Sequence, residues 1–339
     1  MIQERIPESI GSCVVQERIT ESIGNCVVQE GIPESIGSCV VQEEILEIGM
    51  FGECHAHLFM NGYDYHAAVR AHRDHPDEGV IRKELEAYRD AGVTFVRDGG
   101  DHYGVSVLAR ELAPEYGIRY LTPVFGIFRE GHYGRVVGRP FSNLREYAQL
   151  VSEVKEQGGD FIKIMTSGIM TFETADGLSE EGLKREDVRE MVHIAHESGM
   201  KVMSHTNGSR GVIDAAEAGV DSLEHGNFQN EESLEALAES GAVWVPTCST
   251  VRNLIGSGRF SDAVLTEIWS GLRKNIRRGR ELGIPIALGS DAGAYRVLHG
   301  QGIRDEYRAF QDIFPDDPEL DEWLAQSEKR IHQWIKKKN

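Results

Sequence analysis

From Met50 onward the chain repeats one cycle: a stretch of helical period, a glycine, a short apolar run, then a polar loop. The apolar runs are VTFV after Gly92, IRYLTPVFGI after Gly117, DFIKIM after Gly159 and MKVMSH after Gly199. They continue with VDSLEH after Gly219, AVWVP after Gly241 and IPIALGSD after Gly283. A glycine just past a helix supplies a left-handed C-cap. Short runs rich in β-branched residues read as buried parallel strands. The intervening stretches are amphipathic. Over 185–198, Val188, Met191, Val192 and Ala195 share one face, and Arg185, Glu186, Arg189 and Glu190 lie largely opposite. Leu234, Leu237 and Ala238 do the same over 231–240. With the run that opens at Met50 there are eight strands alternating with helices. That order demands an α/β fold with a parallel sheet, and eight such units close a (β/α)8 TIM barrel. An open doubly wound sheet would need a glycine-rich phosphate loop after an early strand. The turn Arg97-Asp98-Gly99-Gly100 matches that poorly.

The two ends break the cycle. QERIPESIGSCVV at 3–15 recurs as QERITESIGNCVV at 16–28 and QEGIPESIGSCVV at 29–41, a period of 13. Structural solenoid repeats run to about 20–50 residues and diverge between copies. Residues 1–49 therefore read as a recent tandem duplication outside the catalytic unit, with translation starting at or near Met50. The alternative is a stack of short strands separated by glycine turns. Cys13, Cys26 and Cys39 are products of the repeat and are not read as ligands. At the other end, 316–339 carries one amphipathic helix over roughly 316–337 with Trp323, Leu324, Ile331 and Trp334, expected to cap the barrel or contact a partner subunit. The expected organisation is an extension over 1–49, a barrel over 50–315 and a C-terminal helix over 316–339.

Composition narrows the partners. The 339 residues are 40% hydrophobic and 27% charged, ordinary for a globular protein, but the formal net charge is -19. Phosphate contacts need a basic surface, so nucleic acid is excluded as a partner. No apolar run is long enough to cross a membrane, and the N-terminus lacks a signal-peptide pattern. Five cysteines without a dense framework suit a reducing cytoplasm. A small-molecule substrate is the expected partner. The oligomeric state stays open, a homo-oligomer included.

The candidate chemistry sits at the strand ends, where barrel enzymes place theirs. Strand one ends in Glu53-Cys54-His55-Ala56-His57. Alternation points His55 and His57 the same way and Cys54 and Ala56 the other. Two imidazoles on one side of a strand end can grip one metal ion. Strand four carries Lys163, strand five ends in His205, strand six in His225 and strand eight in Asp291. Singly, each has a plainer reading: a hydrogen-bonded core histidine, or a helix N-cap for Asp291. Lys163 among apolar neighbours is costly as an ammonium. It can lose its proton, react with carbon dioxide to give an anionic carbamate, or snorkel to the rim.

Together, His55-x-His57, Lys163, His205, His225 and Asp291 resemble the metal site of the amidohydrolase superfamily, over about 50–315. FIKIMTSG at 161–168 and SLEHGN at 222–227 are most similar to the imidazolonepropionase-like branch that contains Xaa-Pro dipeptidases. The resemblance implies two divalent ions, usually zinc. His55, His57 and Asp291 would hold one, His205 and His225 the second, and carboxylated Lys163 would bridge them. It implies hydrolysis of a C–N bond by metal-activated hydroxide, with Asp291 as base then acid. Such relatives usually carry a β-sandwich built from both chain ends, which this sequence lacks. Loop residues His102, Tyr103, Arg129, His132, Tyr133, Tyr295 and His299 are the expected substrate contacts, with Asp98, Asp101, Arg135 and Arg296 near them. Arginines there suit a substrate carboxylate, as in a dipeptide, an N-acyl amino acid or a cyclic amide. The alternatives are a mononuclear deaminase, a lactonase or phosphotriesterase, and a non-catalytic binding protein, which the intact ligand set disfavours.

Overall fold

The computed structural model describes residues 51–334. The expectations for residues 1–49 lie outside the described residues. Among the described residues nine strands are formed: β1 (Glu53–Ala56), β2 (Phe95–Asp98), β3 (Arg119–Leu121), β4 (Gly126–Arg129), β5 (Gly138–Phe141), β6 (Ile162–Met165), β7 (Val202–Thr206), β8 (Ser222–His225) and β9 (Val243–Val245). All their pairings are parallel, in sheets ordered β1-β2-β3 and β5-β4-β6-β7-β8-β9. The architecture is α/β with parallel sheets.

Two strands differ from the sequence expectation, each because of a proline. The run IRYLTPVFGI is broken around Pro123, so β3 pairs with β2 while β4 pairs with β6. One stretch of chain thus reaches into both sheets. The run IPIALGSD is not a regular strand, since Pro285 has no N–H to give. It is still hydrogen-bonded on both sides. Trp244 N donates to Pro285 O at 2.9 Å and Ala287 N to Trp244 O at 3.0 Å. Cys54 N donates to Leu288 O at 3.0 Å and Asp291 N to His55 O at 2.7 Å. The short β5 was not foreseen in the sequence.

The amphipathic helices form as the pattern requires. Arg185–Glu197 buries Val188, Met191, Val192 and Ala195, and Glu231–Ser240 buries Leu234 and Leu237. Gly241 follows the second helix in the left-handed region at φ 70°. At the Gly158–Gly159 joint the left-handed residue is Gly158, one place earlier than expected.

Alternation along the strands separates two cores. Val96, Ile162, Ile164, Val202, Leu223 and Trp244 pack with the helices. Phe95, Leu121, Phe161, Met203, Val243, Val245 and Ala287 form a second cluster on the opposite face. Fully burying each such side chain contributes about 1.5–3 kcal/mol. The C-terminal helix, Leu320–His332, closes one end of this second cluster with Ile331 and Trp334. In β6 Lys163 follows Phe161 on that face, and in β7 His205 follows Met203. Cys54 joins the second core and Ala56 the first, so the two do not share a face as expected. The cause is an irregularity in the β1–β2 register between Glu53 and Ala56.

Candidate metal centre

The structure brings all four predicted histidines together. Ring centroids are 5.3 Å apart for His55 and His57, 4.9 Å for His55 and His225, and 4.5 Å for His205 and His225. Asp291 Oδ1 lies 3.6 Å from Nε2 of both His55 and His57. Candidate ligand atoms of these three residues lie within 4.8 Å of one another. Lys163 is buried, and its Nζ has no hydrogen-bond partner.

Alternation alone would send His225 away from the site, because Glu224 before it takes the same face as Ser222. The backbone corrects this. His225 adopts φ 68° and Asp291 φ 61°, both left-handed, turning each side chain at its strand end. Thr247, at φ 51°, does the same beside His225. Such residues cost about 1–3 kcal/mol each and cluster at functional sites.

Each of three rings is anchored through one nitrogen. His55 Nδ1 lies 2.6 Å from Glu224 Oε2. A carboxylate only accepts, so Nδ1 carries the proton and Nε2 keeps a lone pair. His205 Nε2 donates to Gly168 O at 3.2 Å, which frees Nδ1. His225 Nδ1 is hydrogen-bonded to Thr247 Oγ1 at 2.8 Å, which frees Nε2. This is how metal-ligating histidines are held in a chosen tautomer. Glu224 is itself held by Arg97, whose Nη2 donates to Oε1 at 2.9 Å, and by the Ser222 hydroxyl. Arg97 also donates from Nε to Cys54 O at 2.7 Å and from Nη1 to Ser222 Oγ at 2.8 Å. Both members of this ion pair are fully buried.

Burial keeps the histidines neutral. It pushes His57 and His205 down to about 3, helped by the nearby Lys163 charge. It holds His55 and His225 well below the usual range. Burial also lowers Lys163 to about 8 and raises Asp291 to about 7. Four neutral imidazoles, an unpartnered His55 Nε2, an unpartnered Asp291 Oδ1 and a buried amine near its own pKa make a donor set fit for divalent ions.

The expected substrate contacts divide. Tyr133 is half-buried with its ring 5.0 Å from that of His205. Tyr103 reaches the site through Phe59, at 5.7 Å, which lies 6.1 Å from His57. His102 is exposed and stacks on Tyr103 at 5.1 Å. Tyr295 is exposed on the loop after Asp291. His299 is turned inward instead. Its Nε2 donates to Met60 O at 2.7 Å, and its Nδ1 is 3.0 Å from the Tyr88 hydroxyl. Arg129 is engaged by Asp187 at 3.4 Å, and His132 lies 3.6 Å from Glu180. Asp98 and Asp101 are buried acceptors for backbone N–H groups, including those of Leu58, Gly100, Tyr103 and Ser106. The sequence reading missed Arg97, Glu224 and Thr247. The one signal was a carboxylate directly before the histidine in Ser222-Leu223-Glu224-His225.

The amidohydrolase family profile matches residues 46–308, most of the chain. The chain belongs to the amidohydrolase family. It is 26% identical over 252 residues to an uncharacterised protein of Mycobacterium tuberculosis, covering 70% of this chain and 63% of that one. The chain thus aligns with under two thirds of the length of that relative. It is 26% identical over 191 residues to the ochratoxinase of Aspergillus niger, covering 54% of this chain and 38% of that one. Among solved structures it shares its fold with the A. niger ochratoxinase, at TM-score 0.67 and 20% identity over 84% of this chain and 71% of that one. A Xaa-Pro dipeptidase with bound methionine in the active site is also similar, at TM-score 0.63 and 21% identity over 83% and 75%. No described helix is long and apolar enough to cross a membrane.

Proposed function

We propose that this amidohydrolase-family chain is a metal-dependent hydrolase that cleaves the C–N bond of a small amide, a dipeptide or an N-acyl amino acid. The observation that carries this is the buried set of four neutral histidines with Asp291 and Lys163. On this reading the strands run as a (β/α)8 barrel over 50–315. The hydrogen bonds of the Pro285–Asp291 run to both β9 and β1 support that closure.

His55, His57 and Asp291 would hold one ion, and His205 and His225 a second. Zinc suits these ligands. Bound ions would polarise the carbonyl and acidify the attacking water. Lys163, with its pKa near 8, reaches the neutral amine that attacks carbon dioxide. The Nζ–C bond forms, Nζ gives up a proton, and an anionic carbamate results that suits a bridging position. Asp291 Oδ1 has no protein partner and a pKa near 7, so it can take a proton from water and return it to the leaving nitrogen. Cys54 and Cys248 are buried free thiols, which suits the cytoplasm.

The compact trio of His55, His57 and Asp291 favours a second reading, a one-ion deaminase. Elemental analysis of the zinc-reconstituted full chain separates them. About two ions per chain, with at least one and the amidase activity lost in Lys163→Ala, supports the hydrolase. One ion that survives Lys163→Ala supports the deaminase, and no bound ion refutes both.

A further inference from the structure

Arg129, one of the loop arginines expected to suit a substrate carboxylate, is already engaged by Asp187. Arg259 is placed differently. It sits on the loop after β9, and among the described residues no carboxylate pairs with it. Its guanidinium carbon lies 4.4 Å from the Tyr295 ring centre and 5.4 Å from that of Phe260. Phe260 stacks in turn on Phe172, from the loop after β6, at 4.9 Å. Three loops meet here: those that follow the Lys163 strand, β9 and the Asp291 run. Stacking uses the faces of a guanidinium and leaves its N–H edge free for a carboxylate.

The cluster stands close to the reacting centre along the chain. Ala294 N donates to Asp291 O at 3.0 Å. A turn of that kind keeps its ends within about 7 Å. Arg296 N donates to Gly62 O and Gly62 N to Gly293 O, which ties the turn to the loop after β1. Tyr295, next to that turn, therefore stands at the mouth of the site. The surroundings are apolar. The exposed large hydrophobic residues of the described chain are Tyr63, Tyr65, Ile169, Ile255 and Tyr295, and all five lie past the C-terminal ends of strands. Scattered exposed apolar residues mean little, but all five follow strands, on the side where folds of this kind bind their ligands.

We propose that Arg259, held against Tyr295 and Phe260, reads the free carboxylate of the substrate and selects N-acyl amino acids with an aromatic or large apolar side chain. This rests on the amide-hydrolase reading above and names its substrate class.

The test uses the zinc-loaded full chain and two readouts. Binding is measured by calorimetry with the ketomethylene isostere of N-acetyl-phenylalanine, which cannot be hydrolysed, and with its methyl ester. Turnover is measured with N-acetyl-phenylalanine and its methyl ester. A charge-assisted hydrogen bond of this kind is worth about ten- to hundred-fold in binding. The wild type should prefer the acid isostere by that factor. Arg259→Ala should bring acid and ester to near parity through KM, with kcat little changed, and Arg259→Lys should restore part of the preference. A wild type without the preference, or an Arg259→Ala chain that keeps it, overturns the proposal. Binding as expected without any amide turnover would instead overturn the hydrolase reading and leave Arg259 as a carboxylate reader.

Discussion

Gly99→Ala isolates the role of His57. An added Cβ at Gly99 would stand 2.2 Å from Cε1 of His57, 2.8 Å from Nδ1 and 2.9 Å from Nε2. Ordinary contact begins at 3.4 Å. Real Cβ contacts essentially never fall below 3.0 Å, so the ring must retreat by at least 3.0 − 2.2 = 0.8 Å. Gly99 is not in the left-handed region, so its backbone accepts alanine and the perturbation is purely steric. Metal–ligand distances tolerate only about 0.2 Å. On the proposed function, a shift of this size would remove His57 as a ligand. Overpacking should cost about 1–3 kcal/mol of stability. Zinc affinity should fall at least 10–100-fold, the loss that follows even from disturbing an outer partner of a ligand. The assay is zinc titration in competition with a chelator, beside thermal unfolding of the metal-free chain. Gly271→Ala is the control, because a Cβ there meets nothing within 4 Å on an exposed helix. It should keep zinc affinity and gain about 0.5–1 kcal/mol from helix propensity. A Gly99→Ala chain that binds zinc as tightly as the wild type would refute the assignment of His57.

Two other substitutions probe the groups behind the ligands. Glu224→Gln leaves Arg97 buried without its countercharge and should destabilise the chain by about 3–5 kcal/mol in denaturant melts; a loss under 1 kcal/mol would mean the pair is dispensable. Glu53, which accepts from Ser290 N at 2.7 Å, is raised to about 8 by burial. The folded chain holds that proton between pH 4.5 and about 8 while the unfolded chain releases it. This contribution to stability is therefore full below pH 4.5 and is lost as pH rises through about 8. Measured across that window without metal, Glu53→Gln should gain on the wild type as pH rises; a constant difference would show that Glu53 is ionised in the fold.

The strand–helix rhythm was legible because burial imposes it on every repeat. The helix at Arg185–Glu197 and its buried face follow directly from the spacing of Val188, Met191, Val192 and Ala195. The metal-type residues were legible because they recur at strand ends. What sequence could not show was backbone turned against the local rule. Alternation puts Glu224 and His225 on opposite faces, yet a left-handed φ at His225 brings both to one site. Nor could it show pairings between distant residues. His299 and Arg129 looked available in their loops, but Tyr88, Met60 and Asp187 claim them from elsewhere in the chain.

Charge balance explains why a lysine and an aspartate stand among the histidines. Without metal, Arg97 and Glu224 cancel, and burial holds the four imidazoles neutral. Asp291 near 7 and Lys163 near 8 leave the pocket little net charge. Two divalent ions would bring four positive charges, which neutral imidazoles cannot offset. On the proposed function, ionising Asp291 and converting Lys163 from a cation to an anionic carbamate would change the pocket by several negative charges without moving a backbone atom. On the proposed function, metal binding would then release protons from these two groups and none from the histidines. Histidine should therefore add no pH dependence to zinc affinity near pH 6; affinity should climb with pH while Asp291 and Lys163 are still protonated and level off as pH passes about 7 and then about 8. Calorimetric titration in buffers of different ionisation enthalpy counts the protons released at each pH. In Lys163→Met the step nearest pH 8 should vanish while the step nearest pH 7 remains. A proton release centred near pH 6.5 and unchanged in Lys163→Met would place the titration on ordinary histidines and refute this account of the site.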